Sequence, residues 1–176
     1  TGGSDPKNAP YLVMVRAAEV LRPNSIIIEI VPPLERDSKH TVHTPIGHIK
    51  RLGYKVDNGV VCVADIGVPQ LRKRHILLGH QSVQPDLESA LNVAHTSKRT
   101  LRLAISDLRP QCGKTSFDMP AVLSPDNRRR AQYLLRRDEH DLPNKQRPDC
   151  QRDEHKYKSM YGRLWWDRPA QTITTG

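Results

Sequence analysis

Gln70, Arg72 and Arg74 stand at every second position of the stretch GVPQLRKRHILLGH, residues 67 to 80. Alternate residues of an extended chain point to one side, so the three polar heads are expected to project together, as an anion or a base edge requires. The alternative is a solvated charged edge ahead of a core strand. A carboxylate, Glu29, is set in the apolar run SIIIEIV, residues 25 to 31. Enclosed by isoleucines, it is expected to be buried, which raises a carboxyl pKa and makes an acid able to protonate a ring nitrogen. The alternative is a glutamate at the strand's exit whose head reaches water or pairs with Arg72 or Arg74. Cys62, Cys112 and Cys150 form no Cys-x-x-Cys spacing, so neither a disulfide framework nor a metal site is expected. Cys150 with His155 or His140 is the weak exception.

The elements that must position these residues are legible from periodicity. PYLVMVRAAEVL, 10 to 21, has helical spacing and stops at Arg22-Pro23, and SIIIEIV is a β-branched strand bounded by Pro32-Pro33. PIGHIKRLGY, 45 to 54, is a short amphipathic helix closed by Gly53. Residues 54 to 67 form either one strand or a hairpin turning at Asn58-Gly59, and HILLG supplies the next strand. These units predict an α/β sheet with helices on its faces and a ligand outside the carboxyl ends of its strands. Beyond Gln81, prolines recur and charges crowd. One helix is predicted there, Pro125 to Arg137, capped by Ser124 and carrying Arg128 and Arg129 on a face that is either solvated or phosphate-contacting.

The 176 residues permit one domain of ordinary size, and 28 Lys and Arg against 19 Asp and Glu give a net charge of +9. That balance fits a partner rich in phosphate, with nucleic acid favoured over an acidic membrane surface. With one Phe and few clustered aromatics, the chain has little for base stacking, which argues against a general basic RNA-binding module. No apolar stretch approaches a membrane span and TGGSDPKN has no signal-peptide character, so a cytoplasmic, DNA-associated protein is expected.

Together, DPKN (5 to 8), LRPNSIIIEIV (21 to 31), GVPQLRKR (67 to 74) and YGRLWWDRPAQTITTG (161 to 176) resemble, in order, the later motifs of DNA (cytosine-5)-methyltransferases. The resemblance implies a fold that is α/β, a partial Rossmann-like sheet of an S-adenosylmethionine-dependent methyltransferase with a small irregular DNA-recognition region. It divides the chain into residues 1–81, the second half of the catalytic sheet; 82–160, a basic, loop-rich target-recognition region; and 161–176, a return segment bracing the catalytic domain. The chemistry implied is flipping of a cytosine from duplex DNA, attack by a cysteine on carbon 6 and transfer of a methyl group from S-adenosylmethionine to carbon 5. Glu29 matches the glutamate that contacts ring nitrogen 3, and Arg72 and Arg74 match the arginines that hold the flipped nucleotide. Gln70 orients that row or a nearby phosphate, and DNA contacts extend to Arg128, Arg129, Arg163, Thr172 and Thr174. Ile30 stands where the family has Asn. The family's Pro-Cys nucleophile and glycine-rich cofactor loop have no match here, since the cysteines follow Val61, Gln111 and Asp149. A fragment or subunit of the enzyme is therefore expected, with no cofactor-binding residues assigned and a complementary polypeptide carrying loop and nucleophile as its partner. The alternative is a non-catalytic DNA-binding or regulatory remnant.

Overall fold

In the computed structural model, residues 9–31, 43–111, 113, 115, 119, 121–152 and 161–173 are described. DPKN, Cys112, His155 and Thr174 lie outside them. The described chain forms two compact units, residues 1–67 with 72–97, and residues 68–71 with 98–176.

The first unit begins with helix α1 (Ala9–Leu21) and strand β1 (Ser25–Ile30), followed by helix α2 (His43–Arg51) and strand β2 (Lys55–Cys62). Strand β4 (Lys73–His80) and helix α3 (Leu87–Ala94) complete it. The residue before a proline is disfavoured in the helical region. Accordingly α1 ends on Arg22 in the left-handed conformation, φ 46°, with Pro23 next. The Arg22 guanidinium donates to the Leu52 carbonyl at 3.0 Å. Gly53, at φ 94°, terminates α2 as its sequence predicts.

The sheet order is β1-β4-β2, with both outer strands antiparallel to β4. Because β1 and β2 oppose the same strand, they run in the same sense, and the chain crosses from one to the other through α2. The α/β class expected from the sequence holds, but the described strands do not display a full Rossmann-like sheet; what they form is a small, mixed α/β layer with an antiparallel centre. The Asn58-Gly59 pair sits inside a continuous β2, paired with Leu77 and Ile76, so the strand reading holds and the hairpin reading does not. A turn there would strand half of the β4 ladder.

Pairing register sorts the side chains. Ile26, Ile28 and Ile30 of β1 lie opposite Gly79, Leu77 and His75 on one face, where α1 and α2 cover them. Val15, Ala18, Ile49, Tyr54 and Leu77 close this core, with Ile49 and Leu77 wholly buried. Ile26, Ile49 and Tyr54 converge around Gly79. Burying these side chains contributes roughly 1.5–3 kcal/mol each. The Tyr54 hydroxyl donates to the Pro23 carbonyl at 2.6 Å, tying the end of α1 to the start of β2.

The second unit contains β3 (Gln70–Leu71), helices α4 (Leu101–Ile105) and α5 (Pro125–Arg137), and β5 (Ala170–Gln171). β3 and β5 pair in parallel. The predicted helix 125–137 is observed with its cap, Ser124 Oγ accepting from Asn127 N at 3.3 Å. The sequence reading passed over α3 and α4, although each announces itself by an N-cap: Asp86 accepts from Ser89 N and Thr100 from Leu103 N. Among the described residues no helix is long and apolar enough to cross a membrane.

Candidate functional site

Strand parity decides where Glu29 goes. Ile26 and Ile28 occupy the covered face, so Ile27 and Glu29 must occupy the other. The expected burial of Glu29 is therefore corrected, and the alternative of a glutamate at the strand's exit holds: its side chain is 53% exposed and forms an ion pair with Arg74 Nε. Glu29 lies directly opposite Ile76, and Arg74 is two residues from Ile76 on the same face, a diagonal cross-strand pair. It joins the carboxyl end of β1 to the amino end of β4, which the antiparallel order brings together. Arg74 is only 14% exposed. Its stem lies opposite buried Val61 of β2, and its Nη1 donates to the Lys73 carbonyl at 2.8 Å. A guanidinium anchored in this way presents a fixed fork, whereas its carboxylate partner remains accessible.

The polar row that opens on Gln70 is not one strand. Gln70 pairs with Ala170 in β3, Arg72 falls in the break between β3 and β4, and Arg74 begins the ladder with β1 and β2. The Arg72 carbonyl accepts from Val63 N at 2.9 Å, which pins the break to the end of β2. The chain reaches it through a 3₁₀ turn, Val63–Ile66, and Gly67 at φ 88°, a left-handed position suited to glycine. The structure thus brings Glu29 and Arg74 together and places Gln70 in a separate pairing.

Beside Arg74, His75 is a residue the sequence reading missed. It is fully buried on the core face, and its Nε2 bonds Asn58 Oδ1 at 2.9 Å. The available signal was parity with Leu77. The opposite face over β2 is covered by α3: Leu87 packs at Gly59, where an added Cβ would come within 3.2 Å of it. Leu87 N donates to Asp57 Oδ2 at 2.7 Å.

In the second unit, the RLWWDRPAQT block packs against α4 and His140. His140 stacks on Trp165, with ring centroids 3.3 Å apart, and Arg168 lies 4.6 Å from the same indole. Arg102 and Arg109 lie 5.8 and 5.5 Å from Trp166. Leu101 N and Arg102 N donate to the carbonyls of Arg168 and Trp166, both at 2.9 Å. Arg163 pairs with Asp138 at 2.7 Å and its carbonyl meets His140 Nδ1 at 3.0 Å. The Thr172 hydroxyl donates to the Leu71 carbonyl at 3.3 Å. Arg163 and Thr172 are thus engaged within the protein, while Arg128 and Arg129 are exposed on α5, Arg129 paired with Asp126. Arg147 was also missed: it is buried, donates to the Leu142 carbonyl at 2.8 Å and pairs with Asp141, fixing the loop after α5. Among the described residues no group of three His, Cys, Asp or Glu side chains is placed to hold a metal.

The sequence pattern of C-5 cytosine-specific DNA methylases matches residues 1–165. The chain belongs to this family. Of its relatives, the type II methyltransferase M1.BsuMI of Bacillus subtilis (strain 168) is 36% identical over 177 residues, covering 100% of this chain and 42% of that protein. The type II methylase M.HgiDII of Herpetosiphon aurantiacus is 28% identical over 173 residues, covering 91% of this chain and 48% of that protein. This methylase chain therefore spans less than half the length of these curated relatives. Among solved structures, the Entamoeba histolytica methyltransferase EhMeth aligns with 80% of this chain and 35% of its own at a TM-score of 0.42 and 13% identity.

The methylase family uses S-adenosylmethionine, whose ribose hydroxyls and cationic ammonium and sulfonium groups call for carboxylate partners. The groove over Ile27, Leu78, Val83 and Pro85 is apolar and offers no carboxylate for ribose hydroxyls or an ammonium group. The cleft beside α5 is lined by Arg129, Arg136 and Arg137, which repel the sulfonium and ammonium charges. Neither fits the cofactor.

Proposed function

We propose that this chain supplies the target-base pocket and part of the DNA-recognition surface of a DNA (cytosine-5)-methyltransferase of the restriction-modification type, acting on duplex DNA in the cytoplasm. The observation that carries the reading is the Glu29–Arg74 pair, in which a fixed guanidinium and an accessible carboxylate lie on one sheet face, at the two positions matching the family's base-contacting residues. In this reading Arg74 holds the flipped cytosine and the half-exposed Glu29 faces ring nitrogen 3, relaying to it a proton taken up from solvent as carbon 6 is attacked, which offsets the charge that develops on the ring. Arg72 organises the pocket, and Gln70 orients the segment or a nearby phosphate. Residues 1–81 contribute the second half of a Rossmann-like catalytic sheet, 82–160 the recognition region and 161–176 the brace. The same-sense β1 and β2 flanking one antiparallel strand support that division.

The nucleophile and the cofactor loop come from elsewhere, in the same polypeptide or in a complementary one, since none of the three cysteines follows a proline. The test is transfer of a labelled methyl group from S-adenosylmethionine to cytosine-containing duplex, by the chain alone and by the chain joined to a segment bearing the Pro-Cys motif and glycine-rich loop. Transfer to carbon 5 is expected only from the joined protein. Transfer by the 176 residues alone would overturn the assignment of the nucleophile. A joined protein that melts cooperatively, binds duplex and transfers nothing would establish the non-catalytic remnant instead.

A further inference from the structure

Helix α5 turns two different faces to its surroundings. Leu134 is buried and Ala131 and Arg130 are half-buried, Arg130 donating to the Gln146 carbonyl at 3.0 Å and to Asn127 Oδ1 at 2.8 Å. At 100° per residue, the direction opposite Leu134 falls on Gln132, Arg136 and Arg129, with Arg128 and Tyr133 at the margins. Those first three, with Arg128, are exposed. Among the described residues the side chains of Arg128, Gln132 and Arg136 make no hydrogen bond or ion pair, in contrast to Arg129, Arg130, Arg147, Arg152 and Arg163, which are engaged with protein acceptors. Arg129, Gln132, Tyr133 and Arg136 line a cleft of about 450 Å³, floored on one side by Gln146, and Arg137 covers the Tyr133 ring at 4.9 Å. The surface is cationic, but its centre is a planar amide beside a planar guanidinium, two groups that form bidentate pairs with adenine and guanine edges.

We propose that α5 is a sequence-reading helix, in which Gln132 and Arg136 contact base edges in the major groove while Arg128 contacts a backbone phosphate. The inference rests on the DNA-directed function proposed above and assigns the specificity-determining side chains within it. An α-helix fits the major groove, and residues four apart lie about 6 Å apart along the axis, close to two base-pair steps of about 3.4 Å. The two side chains should therefore read an adenine and a guanine separated by one or two steps. Duplex DNA is favoured over RNA because the deep, narrow major groove of an A-form helix does not admit such a face.

The test is selection from a randomised duplex library by the full 176-residue chain, at near-physiological salt, for the wild type and three exposed-site variants whose helicity and melting temperature are checked first. Gln132→Ala is expected to lose about 10-fold of its discrimination at an adenine position and Arg136→Ala at a guanine position within two steps of it, each with overall duplex affinity reduced only a few-fold. Arg128→Ala is expected to weaken all sequences alike and to reduce the salt slope by about one contact. A wild-type chain that binds duplex but selects no sequence, or Gln132→Ala and Arg136→Ala variants that select the wild-type sequence unchanged, would overturn the inference while leaving the methylase reading intact. Failure to bind duplex, or equal binding of duplex RNA or heparin, would overturn it together with the DNA-contacting role of this chain.

Discussion

A pair formed by a half-exposed carboxylate is worth only about 0.2–1 kcal/mol to the fold, so Glu29 and Arg74 have little to do as a structural clamp. In the joined methylase, Glu29→Gln and Arg74→Ala are expected to lower single-turnover methylation about 100-fold or more, the scale of general-acid catalysis, with DNA affinity falling much less. Melting temperature should drop by no more than a few degrees in either variant. Near-normal turnover with a lowered melting point would instead assign the pair to the sheet edge alone. Arg128→Ala belongs to the opposite class, weakening binding while leaving turnover at saturating DNA nearly intact. At this scale the sequence was legible in part. Arg72 or Arg74 could be named beforehand as a partner for Glu29, because an alternating row near a strand end limits the candidates, and the structure selects Arg74. The burial of Glu29 was misjudged because a run of isoleucines conceals parity: only knowing that Ile26 and Ile28 face the helices places Glu29 on the other side. His75 was overlooked for the same reason, its neighbours reading as a charged edge.

The elements rest on a few local devices that can be tested separately. Gly53 holds φ 94°, where an added side chain has open space but a strained backbone, so Gly53→Ala should cost about 1 kcal/mol by urea unfolding without changing the fold. Leu77→Ala, which empties the centre of the core beneath α1 and α2, should cost about 2–5 kcal/mol. Asp86 gives a pH test. The Ser89 hydroxyl and backbone N–H donate to its carboxylate and hold its pKa below the ordinary 3.8. A lowered folded-state pKa stabilises α3 at any pH above about 3.8, and the effect is lost as pH falls through the still lower folded value. Stability followed by thermal melting between pH 5 and 2, where roughly all such carboxylates titrate, should therefore fall less steeply in Asp86→Asn than in wild type. α1 and α2 were readable because apolar period and terminator agree, and α5 because its cap agrees with its period; α3 and α4 were not, because their apolar faces are short and only their caps mark them. The β3–β5 pairing, two residues in each strand and about a hundred apart in sequence, leaves no periodic signal at all.

Over the whole molecule the informative quantity is charge, and it is unevenly committed. Of the cations around α5, Arg129, Arg130, Arg147 and Arg152 have protein partners, and Arg163 is tied to Asp138. The sequence alone supplies +9 but not this division, because which arginines are consumed by the fold depends on loop geometry that has no sequence period. If the outward-facing α5 arginines that have no acidic partner and are not assigned to a base edge, Arg128 and Arg137, neutralise about two phosphates, counterion release gives a slope of about −1.8 for log affinity against log salt, and duplex binding should weaken by about 10-fold between about 50 and 200 mM salt. If every Lys and Arg acted as a diffuse cloud, single substitutions would leave the slope unchanged and merely shift affinity slightly. Titrating a duplex against the chain over that range by fluorescence anisotropy separates the two. Arg128→Ala should flatten the slope by about 0.9, whereas Arg147→Ala, which removes a buried side chain with no free outward face, should lower the melting temperature and leave the slope of the folded protein near wild type. A flat dependence on salt in the wild-type chain would rule out phosphate neutralisation as the basis of its affinity, and equal effects of the two substitutions on slope would rule out the division of its arginines into structural and DNA-facing sets.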